Sequence, residues 1–447
     1  MANKILSGIM GLVVGDALGV PVEFQSRESL KRNPVKEMRA YGTYNQPAGT
    51  WSDDSSMTLA LVDSLKDGLS YDDIMDKFLH WYEAGGYTPH GVTFDVGIAT
   101  SQALARYRAG ASPLEAGGTG ERDNGNGSLM RILPLLYYLQ ENFGEDFSSK
   151  DEAYEIIHDV SSLTHRHKRS QIACGIYLSI ANELSATECI SKAVESGLFS
   201  ALSYYKKKPG FTEELDHFSR LEDKNFKDLS EEEIGSSGYV VDTLEASIWC
   251  LLTTSTYEKC VLKAVNLGND TDTTGAVAGS LAGIYYGYEA IPEDWLKTIV
   301  RRDYVEGLCD ELFLGLRKKD YERLIKHRAY LERASREGVC SWKESRKDER
   351  GAFIVPYPVY DKEFMDFIND FYCSGLKSQD YVTIVSSRTD SLADIENHIV
   401  EADLELLGAI FTTLIRQERF DDGIWEIAVK EGLFLIILDR LGKLLGV

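Results

Sequence analysis

Eight glycines limit what this chain can fold into more than any other feature of its sequence. Gly275, Gly279, Gly283 and Gly287 recur every four residues, and Gly8, Gly11, Gly15 and Gly19 follow in steps of three and four. On a helix, each set falls on one face. An interior glycine costs roughly 1 kcal/mol against alanine, so such stripes persist where a second backbone must come close. Two helices crossing tightly at the centre of a crowded bundle are the expectation. The rest of the pattern agrees. There are only ten prolines and no long run of alternating β-branched residues, which argues against an all-β fold. Apolar residues return instead with helical period over 57–65, 71–82, 96–108, 152–163, 170–184, 190–205, 240–254, 257–265 and 276–286. Residues 1–312 are therefore expected to form one all-helical domain.

Composition shifts beyond residue 313. Residues 314–350 hold twelve Lys or Arg against seven Asp or Glu, in a chain whose net charge is −23. Residues 313–350 read as a charged helical connector stabilised by i, i+4 pairs. A docking surface for an acidic partner or a modified macromolecule is the sharper alternative. Residues 351–447 read as a smaller, mainly helical domain, extended over 351–360 and helical over 361–372, 394–416 and 433–445. The acidity of the whole repels polyphosphates, so no stable nucleic-acid binding is expected. The apolar stretch 5–22 has one lysine before it, Asp16 inside it and no small-residue exit site. No run reaches the ~18 apolar residues that span a bilayer, so no membrane association is expected. Seven cysteines without a C-x-x-C pair read as reduced thiols of a cytoplasmic protein.

Two short acidic motifs carry most of the chemistry. They are Gly49-Thr-Trp-Ser-Asp-Asp-Ser-Ser-Met57 and Asn269-Asp-Thr-Asp-Thr-Thr-Gly275. Each places hydroxyls and carboxylates directly before a helix, where one such residue alone is an ordinary N-cap. The density exceeds what capping needs. If the motifs meet in the fold, their four carboxylates repel unless cations lie between them, and oxygen-only ligands select Mg²⁺, Mn²⁺ or Ca²⁺ over Zn²⁺. Three further segments matter in company. Gly15-Asp-Ala-Leu-Gly-Val-Pro-Val-Glu23 ends a helix at a glycine, and Pro21 is expected to force an extended exit that carries Glu23 to a surface or cleft. Asn124-Gly-Asn-Gly-Ser-Leu-Met-Arg131 is a glycine-rich turn of the kind whose N–H groups cradle phosphate, though most such turns are only turns. Thr164-His-Arg-His167 lacks the partners of a zinc site and reads as packing or hydrogen bonding.

Taken in order, these motifs together with Phe94-Asp95-x-Gly97 and Asn266-Leu-Gly resemble those of the ADP-ribosylglycohydrolase family over roughly residues 3–310. The resemblance implies an all-α orthogonal helical bundle with a central dinuclear metal site. It implies two divalent cations, Mg²⁺ or Mn²⁺, held by Ser52, Asp53, Asp54, Asp270, Asp272 and Thr273. The family more often has Thr at both hydroxyl positions of the first motif, where this chain has Ser52 and Ser55; serine keeps the oxygen. Beyond residue 313 the tail resembles a small domain of unknown function, with 414–425 as its most distinctive stretch.

The activity this implies is hydrolysis of the bond between C1″ of ADP-ribose and an acceptor. The substrate is an ADP-ribosylated protein, nucleic acid or small molecule, and recruitment of a partner is the role left to the C-terminal domain. Glu23 is the expected proton-transfer carboxylate. Asp95 either faces the ribose or caps the helix that follows it. Asn126, Gly127, Ser128 and His165 are expected around the diphosphate. The alternatives are a dinuclear-metal phosphohydrolase of a nucleotide diphosphate and a non-catalytic ADP-ribose-binding relative. Acceptor choice is expected in the loops 85–93 and 209–238, which match no pattern.

Overall fold

The structure, a computed structural model, describes residues 2–347, 353–389 and 395–446. The chain divides into two compact units, Met1–Leu316 and Arg317–Val447.

The first unit is built on the crossing that the glycines announce. Helix Ala2–Gly19 packs along helix Thr271–Tyr286 more extensively than any other helix pair in the unit. A Cβ on Gly11 would sit 2.4 Å from the carbonyl oxygen of Gly279, and one on Gly279 would sit 2.3 Å from that of Gly11. Gly15 and Gly275 exclude side chains from each other in the same way, at 2.1 and 2.5 Å. Gly8 faces the Tyr137 hydroxyl instead, and Gly19 meets the backbone of Asp272. Gly287 departs from the stripe: it lies past the helix end at φ +84, with nothing near its missing side chain, and terminates the helix. Replacing Gly15 by Ala should therefore destabilise the protein by about 1–3 kcal/mol. The obstacle is backbone, which cannot swing away, so overpacking outweighs the gain in helix propensity of roughly 1 kcal/mol. A urea midpoint equal to or above wild type would contradict this close crossing.

Lys4–Val22 is long and apolar enough by length and composition to cross a bilayer, with a mean hydropathy of 1.9, although Ser7, Asp16 and the glycines break its strictly apolar run. Ninety-four per cent of it is buried inside the unit. Its apolar character serves the core.

Element ends differ from the sequence reading where a local device intervenes. The helix expected from 96 begins at Ile98, because Gly97 is extended and Asp95 sits at φ +55. The helix expected from 276 begins at Thr271, so the second acidic motif forms its first turn. Pro21 does not force an extended exit directly; it sits near the start of a 3₁₀ turn, Val20–Val22, where its missing N–H is harmless, and the chain extends at Glu23.

In the second unit, helices Lys362–Cys373, Leu404–Gln417 and Leu433–Leu445 enclose Phe364, Phe367, Phe371, Phe411 and Phe434. The expected helix over 394–416 is two, Ile395–Glu401 and Leu404–Gln417, because Asp403 caps the second by accepting from the Leu406 N–H at 2.9 Å. The expected helical connector is also corrected. The unit boundary falls inside helix Arg302–Ile325, helix Arg328–Glu337 follows, and Cys340–Lys343 then pairs antiparallel with Tyr357–Tyr360, as Arg346–Lys347 does with Phe353–Ile354. Within 414–425, the Glu418 carboxylate accepts from the N–H groups of Gly423 and Trp425, both at 2.9 Å, and so shapes the turn into the next helix. Residues 348–350 of the expected connector, 351–352 of the extended stretch and residue 394 lie outside the described residues.

Candidate functional site

The two acidic motifs meet. Thr273 Oγ1 donates to Asp54 Oδ2 at 3.3 Å across 219 residues of sequence. Ser52 caps helix Asp53–Leu65: its Oγ accepts from the Asp54 N–H at 3.3 Å and donates to Asp54 Oδ2 at 3.0 Å. What holds this turn in place is Asp16, in the last turn of the N-terminal helix Ala2–Gly19. Its carboxylate accepts from the N–H of Ser52 at 3.0 and 3.1 Å, the N–H of Ser55 at 3.0 Å and the Ser55 hydroxyl at 2.5 Å. Sequence reasoning passed over Asp16 as a site residue, although a lone carboxylate inside an otherwise apolar helix was a signal.

The second motif is delivered by the same helix crossing. Absence of a side chain at Gly19 admits the Asp272 backbone, which a Cβ would approach to 2.3 Å, and the Thr271 hydroxyl bonds the Gly19 carbonyl at 2.8 Å. Asp270 is the N-cap residue of Thr271–Tyr286, and its Oδ2 accepts from Asn126 Nδ2 at 2.9 Å. Arg27, which the sequence did not point to, braces this region. Its guanidinium donates to the carbonyls of Leu267 at 2.8 Å, Ile234 at 2.7 Å and Glu231, while the Ser236 carbonyl takes the Asp270 N–H at 3.0 Å.

Glu23 and Asp95 complete the pocket. The turn Tyr41–Gln46 folds back on Pro21–Glu23, with Thr43 Oγ1 donating to the Glu23 carbonyl at 2.7 Å, and it delivers Tyr44, whose hydroxyl donates to Asp95 Oδ1 at 2.6 Å. Asp95 is not a helix cap; Gly97 occupies that position. Two trios of carboxylates, Asp16, Asp54 and Asp272, and Glu23, Asp95 and Asp272, each bring oxygens within 4.8 Å of one another. Asp272 belongs to both. Asp53 is buried beside them and feels Asp95 and Asp54 most among its neighbours.

Burial pushes every one of these acids that shifts upward. Glu23 rises to about 9, chiefly through burial and then through Asp95, and Asp16 rises to about 7 through burial, against its hydrogen bonds to Ser55 and Ser52. Asp53, Asp54 and Asp272 rise well above the usual carboxylate range for the same first reason, with neighbouring carboxylates adding to it, and burial also raises Asp270. No lysine or arginine is among the leading influences on any of them. Glu23 Oε2, Asp54 Oδ1, Asp270 Oδ1 and Asp272 Oδ2 are buried without a hydrogen-bond partner. A crowd of buried, unpaired carboxylate oxygens is expensive in the absence of positive charge. The donor set, oxygen throughout, fits a hard divalent cation.

The glycine-rich turn lies alongside. Asn126 Nδ2 bridges Thr243 Oγ1 at 2.8 Å and Asp270, tying the turn to the acidic pocket. A Cβ on Gly127 would collide with His165 at 2.6 Å, so the ring and the turn are fitted to each other. His165 is buried, its Nδ1 is 2.9 Å from Thr164 Oγ1, and burial pushes it down to about 3, leaving it neutral at pH 7. The Ser128 hydroxyl turns into the core, where it accepts from Ser161 Oγ at 3.0 Å. Of the two unassigned loops, 209–238 reaches the pocket at its end, where a Cβ on Gly238 would lie 3.1 Å from Asp270 Oδ2.

Comparison with known proteins gives two family matches. The family described as ADP-ribosylglycohydrolase matches residues 1–322, and a family of unknown function, DUF6508, matches residues 316–446. An ADP-ribosylarginine hydrolase, Tri1, of Serratia proteamaculans is 30% identical over 322 residues, covering 71% of this chain and 81% of that protein. The ADP-ribosyl-[dinitrogen reductase] glycohydrolase of Rhodospirillum rubrum is 28% identical over 305 residues, covering 66% of this chain and 90% of its own length. A solved structure titled ADP-ribosylglycohydrolase-related protein complex superposes with a TM-score of 0.56 at 31% identity, covering 70% of this chain and 98% of that one.

Proposed function

The chain belongs to the ADP-ribosylglycohydrolase family, hydrolases of ADP-ribosyl linkages, and from that premise we propose that it cleaves the bond between C1″ of ADP-ribose and an arginine side chain, using two divalent cations, Mg²⁺ or Mn²⁺. The arginine acceptor is supported by the relative named for it. The observation that carries the metal requirement is the set of unpartnered buried oxygens of Asp54, Asp270 and Asp272 where the two motifs converge.

Ser52, Asp53, Asp54, Asp270, Asp272 and Thr273 would hold the cations, which when bound would supply Lewis acidity at the ribose. The rest falls to the chain's own groups. In the balanced reaction, water adds to C1″, the C1″–N bond breaks, and the water's proton ends on the departing guanidine. Glu23 relays that proton through Oε2, its unpartnered oxygen. Tyr44, donating to Asp95, fixes the second carboxylate beside the oxocarbenium-like centre, where negative charge stabilises developing positive charge. Neutral His165, packed against Gly127, and Asn126, tied to Asp270, fix the turn that faces the diphosphate.

Product analysis tests this. With ADP-ribosylarginine and Mg²⁺ or Mn²⁺, the expected products are free ADP-ribose and arginine, and EDTA should reduce the rate by about 100-fold or more, since disturbing even the outer partners of a metal site costs about 10–100-fold. AMP with a ribose phosphate would instead identify a phosphohydrolase. Binding of ADP-ribose without turnover would identify a non-catalytic relative.

A further inference from the structure

Immediately after Glu23 stands a residue that neither the core nor the metal cluster explains. Phe24 is 69% exposed, so its ring gains little from burial. Its φ of +63 is in the left-handed region that disfavours any side chain. Such strain persists where the surroundings enforce it and gathers at functional sites. Here the enforcement is visible: the Phe24 N–H donates to the carbonyl of Asn269, the residue before Asp270, at 2.7 Å. Asn269 and Asp95 also have positive φ, so strained backbone surrounds the pocket on several sides.

The ring of Phe24 lies 6.5 Å from that of Tyr44, which lies 5.1 Å from that of Phe94. Tyr44 in turn holds Asp95, whose carboxylate is grouped with Glu23. Aromatic rings thus run from solvent to two carboxylates. Such a combination suits a flat cation that lays its face on a ring and directs N–H donors at the acids. A serine hydroxyl or a neutral base offers no charge for it.

We propose that Phe24, flanked by Tyr44 and Phe94, is the acceptor subsite of this pocket and takes the guanidinium of the substrate's arginine side chain. This rests on the reading of the pocket as an ADP-ribosylarginine hydrolase. It makes Phe24 a specificity-determining residue, acting on the departing half of the substrate and not on the ADP-ribose half.

The test compares the full-length wild type with Phe24→Leu and Phe24→Trp, all of which carry the same backbone strain. With ADP-ribosylarginine as substrate, Phe24→Leu should raise KM about ten-fold, the size expected for one partly desolvated cation–π contact, and Phe24→Trp should restore it. The inhibition constant of free ADP-ribose, which lacks the acceptor, should change less than two-fold in both. An unchanged KM in Phe24→Leu overturns the subsite. So does an equal rise in the ADP-ribose inhibition constant, which would place Phe24 on the other half of the substrate. Failure of the wild type to release ADP-ribose from ADP-ribosylarginine overturns both the subsite and the reading beneath it.

Discussion

Asp270→Asn should lower turnover of ADP-ribosylarginine by at least about 100-fold while the helical bundle stays folded. Outer-shell partners of a metal site are typically worth about 10–100-fold, and Asp270 Oδ1 is one of the buried oxygens with no partner of its own. Asparagine keeps the shape and removes one anion. The stability result has two signs. In EDTA, where the carboxylates repel, the variant should melt at the same temperature as wild type or higher. With Mg²⁺ it should gain less, because a ligand that binds only the folded state stabilises by its occupancy. Near-normal turnover of Asp270→Asn in Mg²⁺ would remove Asp270 from the ligand set.

The pH dependence of the metal-free protein follows from the same crowding. Asp16 at about 7 and Glu23 at about 9 lie above their ordinary values of 3.8 and 4.5, so the folded state retains protons that the unfolded chain has released. For groups raised on folding, the stabilisation is full below the unfolded values and is lost as pH climbs through the folded ones. Metal-free protein should therefore lose melting temperature between about pH 4 and 9. Added Mg²⁺ should reverse the trend, since cation binding requires the deprotonated ligands. Melting curves at pH 5 and pH 8, with and without Mg²⁺, check both signs; a Mg²⁺ increment that shrinks toward pH 8 would contradict them.

Glu23→Gln should behave differently. It preserves the side chain's size and leaves the Thr43 bond to the backbone carbonyl intact, yet it can no longer carry a proton. A positioned acid or base contributes typically 10²–10⁴-fold, so kcat should fall by about that factor while ADP-ribose binding, read by calorimetry, stays within a few-fold. Weakened binding with kcat unchanged would make Glu23 a positioning residue instead.

Much of the site was legible in the sequence because its parts are local. Ser52-Asp53-Asp54 and Asp270-Thr-Asp-Thr273 are dense runs of acceptors at helix starts, and such density shows without a fold. Three contributors were not legible. Asp16 looked like an interruption in an apolar helix, Tyr44 sits in a turn that matches no motif, and Arg27 works through the carbonyls of Glu231, Ile234 and Leu267. Each acts on a partner far away in sequence, and side-chain spacing along one element says nothing about such partners. Tyr357–Tyr360 falls in the stretch expected to be extended, but its partner strand Cys340–Lys343 was hidden, since pairing depends on a second strand as much as on the first.

By itself the sequence determined the helices, because i, i+3 and i+4 neighbours along one element fix its buried face. It also determined that two backbones must touch, because only glycine tolerates that approach. What the tertiary structure decided is which elements meet. It set Gly15 against Gly275, brought Asp272 to the end of the first helix at Gly19, and closed Thr273 onto Asp54. Like charges drive those acids apart, so no local preference could assemble them; the packing of the two glycine-striped helices does so, with Asp16 holding the Ser52–Ser55 turn to it.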